Sequence, residues 1–132
     1  MNKTVAHFEI YGDNPEKLAE FYKGLFGWKI EKVPNPGMDY WMIGTVPTDG
    51  KGMPTAPGGI NGGLMKRPTP EARAWLNYVT VPSVDEAAAQ VRKMGGTVMR
   101  PKTAVPKMGW FVVAMDPEQN AFGIWQDDSN AA

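Results

Sequence analysis

Polar and apolar side chains alternate along residues 5–11. Val5, His7, Glu9 and Tyr11 fall on one face of a predicted strand, and Ala6, Phe8 and Ile10 fall on the other. The second face is uniformly apolar and is expected to pack on a helix. A helix is what the next residues predict: Asp13 or Asn14 caps it, Pro15 sits in its first turn, and Gly27 ends it. Leu18, Phe21, Tyr22 and Leu25 recur at three and four residues as its apolar stripe, with Lys17, Glu20 and Lys23 off that stripe. Residues 28–33 and 40–44 then read as strands around the turn Pro34-Asn35-Pro36-Gly37. Residues 47–57 have the length and composition of a lid or of a simple connector. The Gly-rich run at 58–65 reads either as a loop or as a strand whose backbone something large approaches closely.

The same order of elements returns after a Pro-containing linker at residues 67–73. A strand at 75–81 leads to Ser83, which forms a capping box with Glu86 and opens a helix over 84–94 that ends in Gly95-Gly96. Strands are predicted at 97–99, 110–114 and 121–126, with a connection at 101–106 and a tight turn at Asp116-Pro117-Glu118-Gln119-Asn120. Residues 127–132 are expected to fray. A shift of 69 residues lays His7 on Leu76, Ile10 on Val79, Leu25 on Met94, Gly27 on Gly96 and Trp41 on Trp110. Each half is too small to hold a core alone, so two sheets facing each other around a shared cavity are expected. The chain, residues 1–132, is read as one unit built from a first module at 4–66 and a second at 74–127.

Composition narrows the function. Net charge is zero and Lys and Arg are scattered, so nothing marks a nucleic-acid surface. No apolar run approaches the roughly 20 residues of a membrane helix, and the polar start is not a signal peptide; a cytoplasmic protein without membrane contact is expected. The chain has no Cys, which removes disulfides, thiolate metal sites and a Cys nucleophile. The Gly-rich run lacks the spacing of a phosphate loop, and no Ser or Thr lies in a nucleophile-elbow sequence.

His7 is the only histidine, and its role decides most of what can be said about function. Three readings stay open: a packed residue bonded to Glu9, a general base or ligand-binding group whose basicity Glu9 raises, or a metal ligand in a weak His-x-Glu pair. A carboxylate such as Glu9 inside a strand has to be solvated or paired. The aromatic residues Trp41, Trp75, Trp110, Trp125, Tyr40 and Tyr78 fit either a core or the walls of a pocket for a flat molecule.

The run from His7 through Phe21-Tyr22 to Leu25-Phe26-Gly27-Trp28 resembles the first module of the vicinal oxygen chelate (VOC) superfamily, which includes glyoxalase I, bleomycin-resistance proteins and extradiol dioxygenases. Tyr78-Val79-Thr80-Val81, the helix ending in Gly95-Gly96 and the Asp116-Pro117 turn resemble its second module. The resemblance covers about residues 3–127. It implies an α+β fold of two βαβββ modules, curved mixed sheets around a cleft with helices on the outer faces, and a homodimer. It also implies four metal-ligand positions. His7 matches the first, but Gly63 or a neighbour in the Gly-rich run, Leu76 and Gly123 stand at the other three, so a divergent member lacking most metal ligands is expected.

The glycines are expected to leave volume where ligands would project, which suits a bulky organic molecule held by stacking and shape. The expected function is therefore metal-independent binding, for sequestering or sensing an aromatic or amphipathic small molecule, with no cofactor. The expected site residues are His7, Glu9, Tyr11, Trp41, Gly63, Tyr78, Trp110, Gly123 and Trp125. The alternative is a lyase, isomerase or dioxygenase of the same superfamily that uses His7 and Glu9 as catalytic residues, with or without a divalent metal held by His7.

Overall fold

A computed structural model of the chain describes residues 3–34, 38–51 and 53–132. The predicted turn at 34–37 lies, from Asn35 onward, outside the described residues, as does Gly52 of the 47–57 loop. The elements run in the order β1 (Val5–Gly12), α1 (Pro15–Phe26), β2 (Lys29–Val33), β3 (Tyr40–Gly44), β4 (Gly62–Lys66), β5 (Leu76–Thr80), α2 (Val84–Lys93), β6 (Thr97–Val105), β7 (Gly109–Met115) and β8 (Ala121–Asp127). The α+β class and the twofold βαβββ order are those expected. Contacts divide the chain into an N-terminal unit, His7–Trp75, and a C-terminal unit, Leu76–Ala132 joined by the chain's first residues up to Ala6. The Thr80 amide donates to the Thr4 carbonyl at 3.0 Å within the C-terminal unit.

In the N-terminal unit the strands lie in the order β2-β3-β4-β1, with β1 parallel to β4 and the other pairs antiparallel. Asn14 caps α1 by accepting a hydrogen bond from the Lys17 amide, and Gly27 ends it in the left-handed region at φ 71°. The helix covers the apolar face of the sheet: Phe8, Ile10, Ile30, Trp41, Ile43 and Leu64 bury against Ala19, with Leu18, Tyr22 and Trp28 packed around them. Trp75 joins this side, stacked on Phe8 with ring centroids 5.4 Å apart. The alternation at residues 5–11 therefore sets the strand's facing correctly.

In the C-terminal unit the order is β5-β8-β7-β6, with β5 parallel to β8. Ser83 accepts from the Glu86 amide at the start of α2. Val81, Val84, Ala88, Val112 and Ile124 form the core, with Val91, Val98, Trp110 and Phe122 against it.

Two sequence expectations give way here. Residues 97–105 form one strand, not a short strand and a connection: β6 runs through Pro101 by shifting register on either side of Arg100. An edge strand with a bulge tolerates the missing proline N–H, so Pro101 does not break it. The last residues do not fray. The Ala131 carbonyl accepts from the Lys107 amide at 2.9 Å, the Asp128 carboxylate accepts from Trp110 Nε1 at 2.9 Å, and Ala131 is buried.

Candidate functional site

Because Phe8 and Ile10 point to α1, the pleat sends His7, Glu9 and Tyr11 to the opposite face of the N-terminal sheet. Gly63 lies directly beside Glu9 on β4, and Met42 of β3 lies on the other side of Gly63. On β3, Trp41 and Ile43 face the helix, so Tyr40 and Met42 share the face of His7. The Tyr40 side chain reaches from β3 across Gly63 to β1. A Cβ on Gly63 would overlap the phenol oxygen and ring edge of Tyr40, so only glycine lets the ring lie there.

Across that glycine the polar groups meet. Tyr40 Oη donates to Glu9 Oε2 at 3.1 Å and lies 3.2 Å from His7 Nε2, while Tyr11 Oη donates to Glu9 Oε1 at 2.7 Å. A phenol has one proton. With that proton directed to Glu9, the His7 contact requires His7 Nε2–H to donate to Tyr40, which assigns the tautomer and leaves Nδ1 as the unprotonated nitrogen. The partial burial of His7 lowers its pKa from 6.5, and the negative charge of Glu9 opposes this without reversing it. His7 is thus a neutral imidazole at neutral pH. Glu9 raises the basicity of His7 as expected, but loss of solvation outweighs the carboxylate and sets the net direction.

The C-terminal unit uses the same glycine device with different chemistry. Gly123 of β8 lies beside Tyr78 of β5, and a Cβ there would overlap the Tyr78 ring. Tyr78 leans across Gly123 to meet Phe111 on β7 in a T-shaped contact, with centroids 6.4 Å apart. Phe111 is the cross-strand neighbour of Trp125, whose Nε1 donates to Asp127 Oδ1 at 2.7 Å. The guanidinium of Arg100 on β6 lies over Phe111, 5.2 Å from the ring centroid. Leu76 and Thr80 share the strand face of Tyr78.

Several site expectations need correction. Gly63 and Gly123 do not leave volume for a ligand, because a tyrosine ring already lies across each. Trp41 is a core residue with 8% exposure, turned to α1 by the pleat. Trp110 likewise packs on the α2 side, held by Asp128 and lying under Lys102, 4.5 Å from its ring centroid. His7, Glu9, Tyr11 and Gly63 come together as one group, and Tyr78, Gly123 and Trp125 as another. Tyr40 belongs to the first group, and Phe111 and Arg100 to the second. A period-two signal exists for Tyr40 and Phe111, each alternating with neighbours that face the helix, whereas Arg100 carries none, because the register shift after Val98 breaks the alternation there. Only the paired register tells which parity is which.

The 47–57 loop closes on itself. Thr48 and Pro54 form a bridge, the Asp49 amide donates to the Met53 carbonyl, and Asp49 Oδ1 accepts from the Lys51 and Met53 amides. Asn61 Oδ1 pins its base by accepting from the Thr45 amide at 2.8 Å. A concavity of about 780 Å³ in the C-terminal unit lies on the helix side, between α2 and β8, away from both tyrosine groups.

The residues do not suit a chelated metal. Among the described residues no three His, Cys, Asp or Glu side chains come together. Of the positions that the resemblance assigns to ligands, Gly63 and Gly123 lie beneath tyrosine rings and Leu76 is buried and apolar. A catalytic divalent ion needs about three protein donors, and His7 with Glu9 supplies two. No helix among the described residues is long and apolar enough to cross a membrane.

The family model described as Glyoxalase/Bleomycin resistance protein/Dioxygenase superfamily matches residues 4–124. The anthracycline biosynthesis proteins DauV of Streptomyces sp. (strain C5) and DnrV of Streptomyces peucetius are each 27% identical over 135 aligned positions. That match covers 92% of this chain and 46% of each relative, so the chain spans about half their length. Among solved structures, a variant of Streptomyces coelicolor methylmalonyl-CoA epimerase superposes with a TM-score of 0.67 over 98% of both chains at 14% identity. At that identity the likeness is one of fold.

Proposed function

We propose that this chain, which belongs to the Glyoxalase/Bleomycin resistance protein/Dioxygenase superfamily, binds an aromatic or amphipathic small molecule without a metal, on the sheet faces turned away from its helices. The observation that carries this reading is Tyr40 lying across Gly63, its phenol bonded to His7 and Glu9. The arrangement puts two phenol oxygens, a carboxylate and a neutral imidazole within one hydrogen-bonded group. Such a group can exchange bonds with the hydroxyl or keto groups of a ligand, while the tyrosine rings offer flat contact. The two curated relatives are named for anthracycline biosynthesis. Flat polycyclic aromatics bearing oxygen substituents fit the same chemistry and are the ligand class we assign.

Calorimetric titration with a panel of hydroxylated polycyclic quinones tests this. Saturable binding that Tyr40→Ala and Glu9→Gln each weaken about 10-fold supports it, the loss expected for a hydrogen bond to a charged group. Silence across the panel, or a stoichiometric divalent ion needed for binding, removes it.

A specific observation favours a second reading, an acid–base enzyme of the same superfamily. His7 is neutral at neutral pH, with Nδ1 able to accept a proton, and its Nε2–H is held by a phenol that is itself bonded to a carboxylate. Turnover of a bound ligand that His7→Gln abolishes while leaving its affinity unchanged would select this reading. Homodimer formation belongs to the same proposal and is supported by the outward-facing Phe21, Leu25 and Phe26 of α1. Sedimentation at several concentrations, with Leu25→Glu as the disrupting change, tests it.

A further inference from the structure

The C-terminal unit holds a side-chain group that the Tyr40 network does not use. Tyr78, Phe111 and Trp125 present rings on one face of three adjacent strands, and the register fixes them there: Tyr78 opposite Gly123, and Phe111 opposite Trp125. Each ring is immobilised. Tyr78 is 7% exposed and lies across Gly123, and Trp125 is held by Asp127 and would overlap a Cβ at Gly109. Phe111 is half-buried beside Trp125 in register and makes a T-shaped contact with Tyr78.

At the β6 side of this wall stands Arg100. The bulge that shifts the register of β6 around Arg100 aims the side chain back over the sheet, where the guanidinium covers Phe111 at 5.2 Å. Its Nε donates weakly to Thr103 Oγ1 at 3.4 Å. Among the described residues no carboxylate pairs with Arg100, whereas Lys23, Lys29, Lys32, Arg67 and Lys102 each have one. A planar cation held on an aromatic platform keeps its terminal N–H pair at the platform's edge, in the fork that matches a carboxylate.

We infer that Arg100, Phe111, Tyr78 and Trp125 form a recognition site for the anionic edge of a flat aromatic molecule, an aryl carboxylate, with Arg100 as the specificity-determining residue. This rests on the reading of the chain as a binder of flat small molecules and adds the charge of the ligand and the unit that reads it. A ring lies along the aromatic wall and its carboxylate accepts both terminal N–H groups of Arg100. Thr103 steadies the guanidinium through Nε. A neutral primary amide of the same shape keeps the ring contact and one acceptor for Arg100, and loses the second acceptor and the charge.

Anthracene carboxylate and its primary amide, titrated into the intact chain by calorimetry, separate these contributions. The expected result is a preference of about 10-fold for the acid, the size of one charge-assisted bidentate contact at a partly exposed site. Arg100→Gln should erase that preference by weakening the acid far more than the amide, and Arg100→Lys should restore part of it. Phe111→Ala should weaken acid and amide alike. Equal binding of acid and amide by the unaltered chain, or an undiminished preference in Arg100→Gln, overturns the Arg100 assignment and leaves the small-molecule reading standing. Binding of neither compound, together with silence of the quinone panel, overturns both. Arg100 is exposed, and an unchanged thermal midpoint for Arg100→Gln shows that the loss is not one of folding.

Discussion

The two halves of this chain place a tyrosine over a glycine in the same way and obtain opposite local chemistry. In the N-terminal unit the ring comes from β3, crosses Gly63 by its tip, and delivers its hydroxyl to Glu9 and His7. In the C-terminal unit the ring comes from β5, crosses Gly123 from its root, and delivers a T-shaped ring contact to Phe111. Glu9 and Tyr78 occupy matching places, each beside the glycine of a parallel partner strand. The exchange of a carboxylate for a tyrosine at that place separates a polar face from an apolar one. What a glycine contributes therefore depends on which neighbour lies across it.

That difference can be broken by substitution. Gly123→Ala should have the largest effect. The new methyl meets Tyr78 at Cγ and Cδ2, close to the backbone of a buried residue, so the ring cannot swing clear. A loss of about 2–3 kcal/mol is expected from such overpacking, read by urea unfolding. Gly63→Ala meets Tyr40 at the far end of a side chain that can rotate away, at the expense of its hydrogen bonds. About 1 kcal/mol is the expected loss. If Gly63→Ala proves the costlier of the two, the distinction between tip and root contact is wrong.

Tyr40→Phe should cost about 1 kcal/mol by removing the bridge between His7 and Glu9. Its effect should not add to that of Gly63→Ala, since both act on the same hydroxyl; a double-mutant cycle with zero coupling would contradict the geometry.

The smallest effect is one of pH. Burial lowers the pKa of His7 in the folded chain, while the unfolded chain keeps the ordinary value of 6.5. Above that value the histidine is neutral in both states and makes no pH-dependent difference. As pH falls below 6.5 the unfolded chain takes up the proton first, so stability drops until the folded pKa is passed. Melting curves between about pH 7 and pH 5 should show a steeper decline for the parent chain than for His7→Gln. The single imidazole signal in an NMR titration should lie below 6.5 and move lower still in Glu9→Gln, which removes the charge that favours the imidazolium.

The order of elements is legible in the sequence because hydrophobic period, caps and turn residues are local. Phe8 and Ile10 alternating with His7 and Glu9, Asn14 and Ser83 at helix starts, and Gly27 at a helix end each act within a few residues. The fold class and the facing of β1 follow from them. Trp41 and Trp110 fall on the opposite face from the one expected because an aromatic side chain in a strand carries no local mark of which face is covered. Tyr40 and Phe111 stay out of the expected site for the same reason. The continuous β6 and the anchored tail are hidden in the sequence because Pro101 is tolerated through its place on an edge, and the Ala131 carbonyl is held by a partner 24 residues earlier, Lys107.

Local sequence signals thus carry two βαβββ repeats, a single histidine beside a glutamate on one strand face, and glycines at positions 63 and 123. Tertiary structure alone decided what those glycines mean. Register sets Gly63 between Glu9 and Met42, and Gly123 between Tyr78 and Val113, and only through that pairing does each glycine admit a tyrosine ring. The physical reason is the range of the contacts. Period and capping are settled by neighbours along the chain, whereas the space above a glycine is settled by side chains on strands far away in sequence.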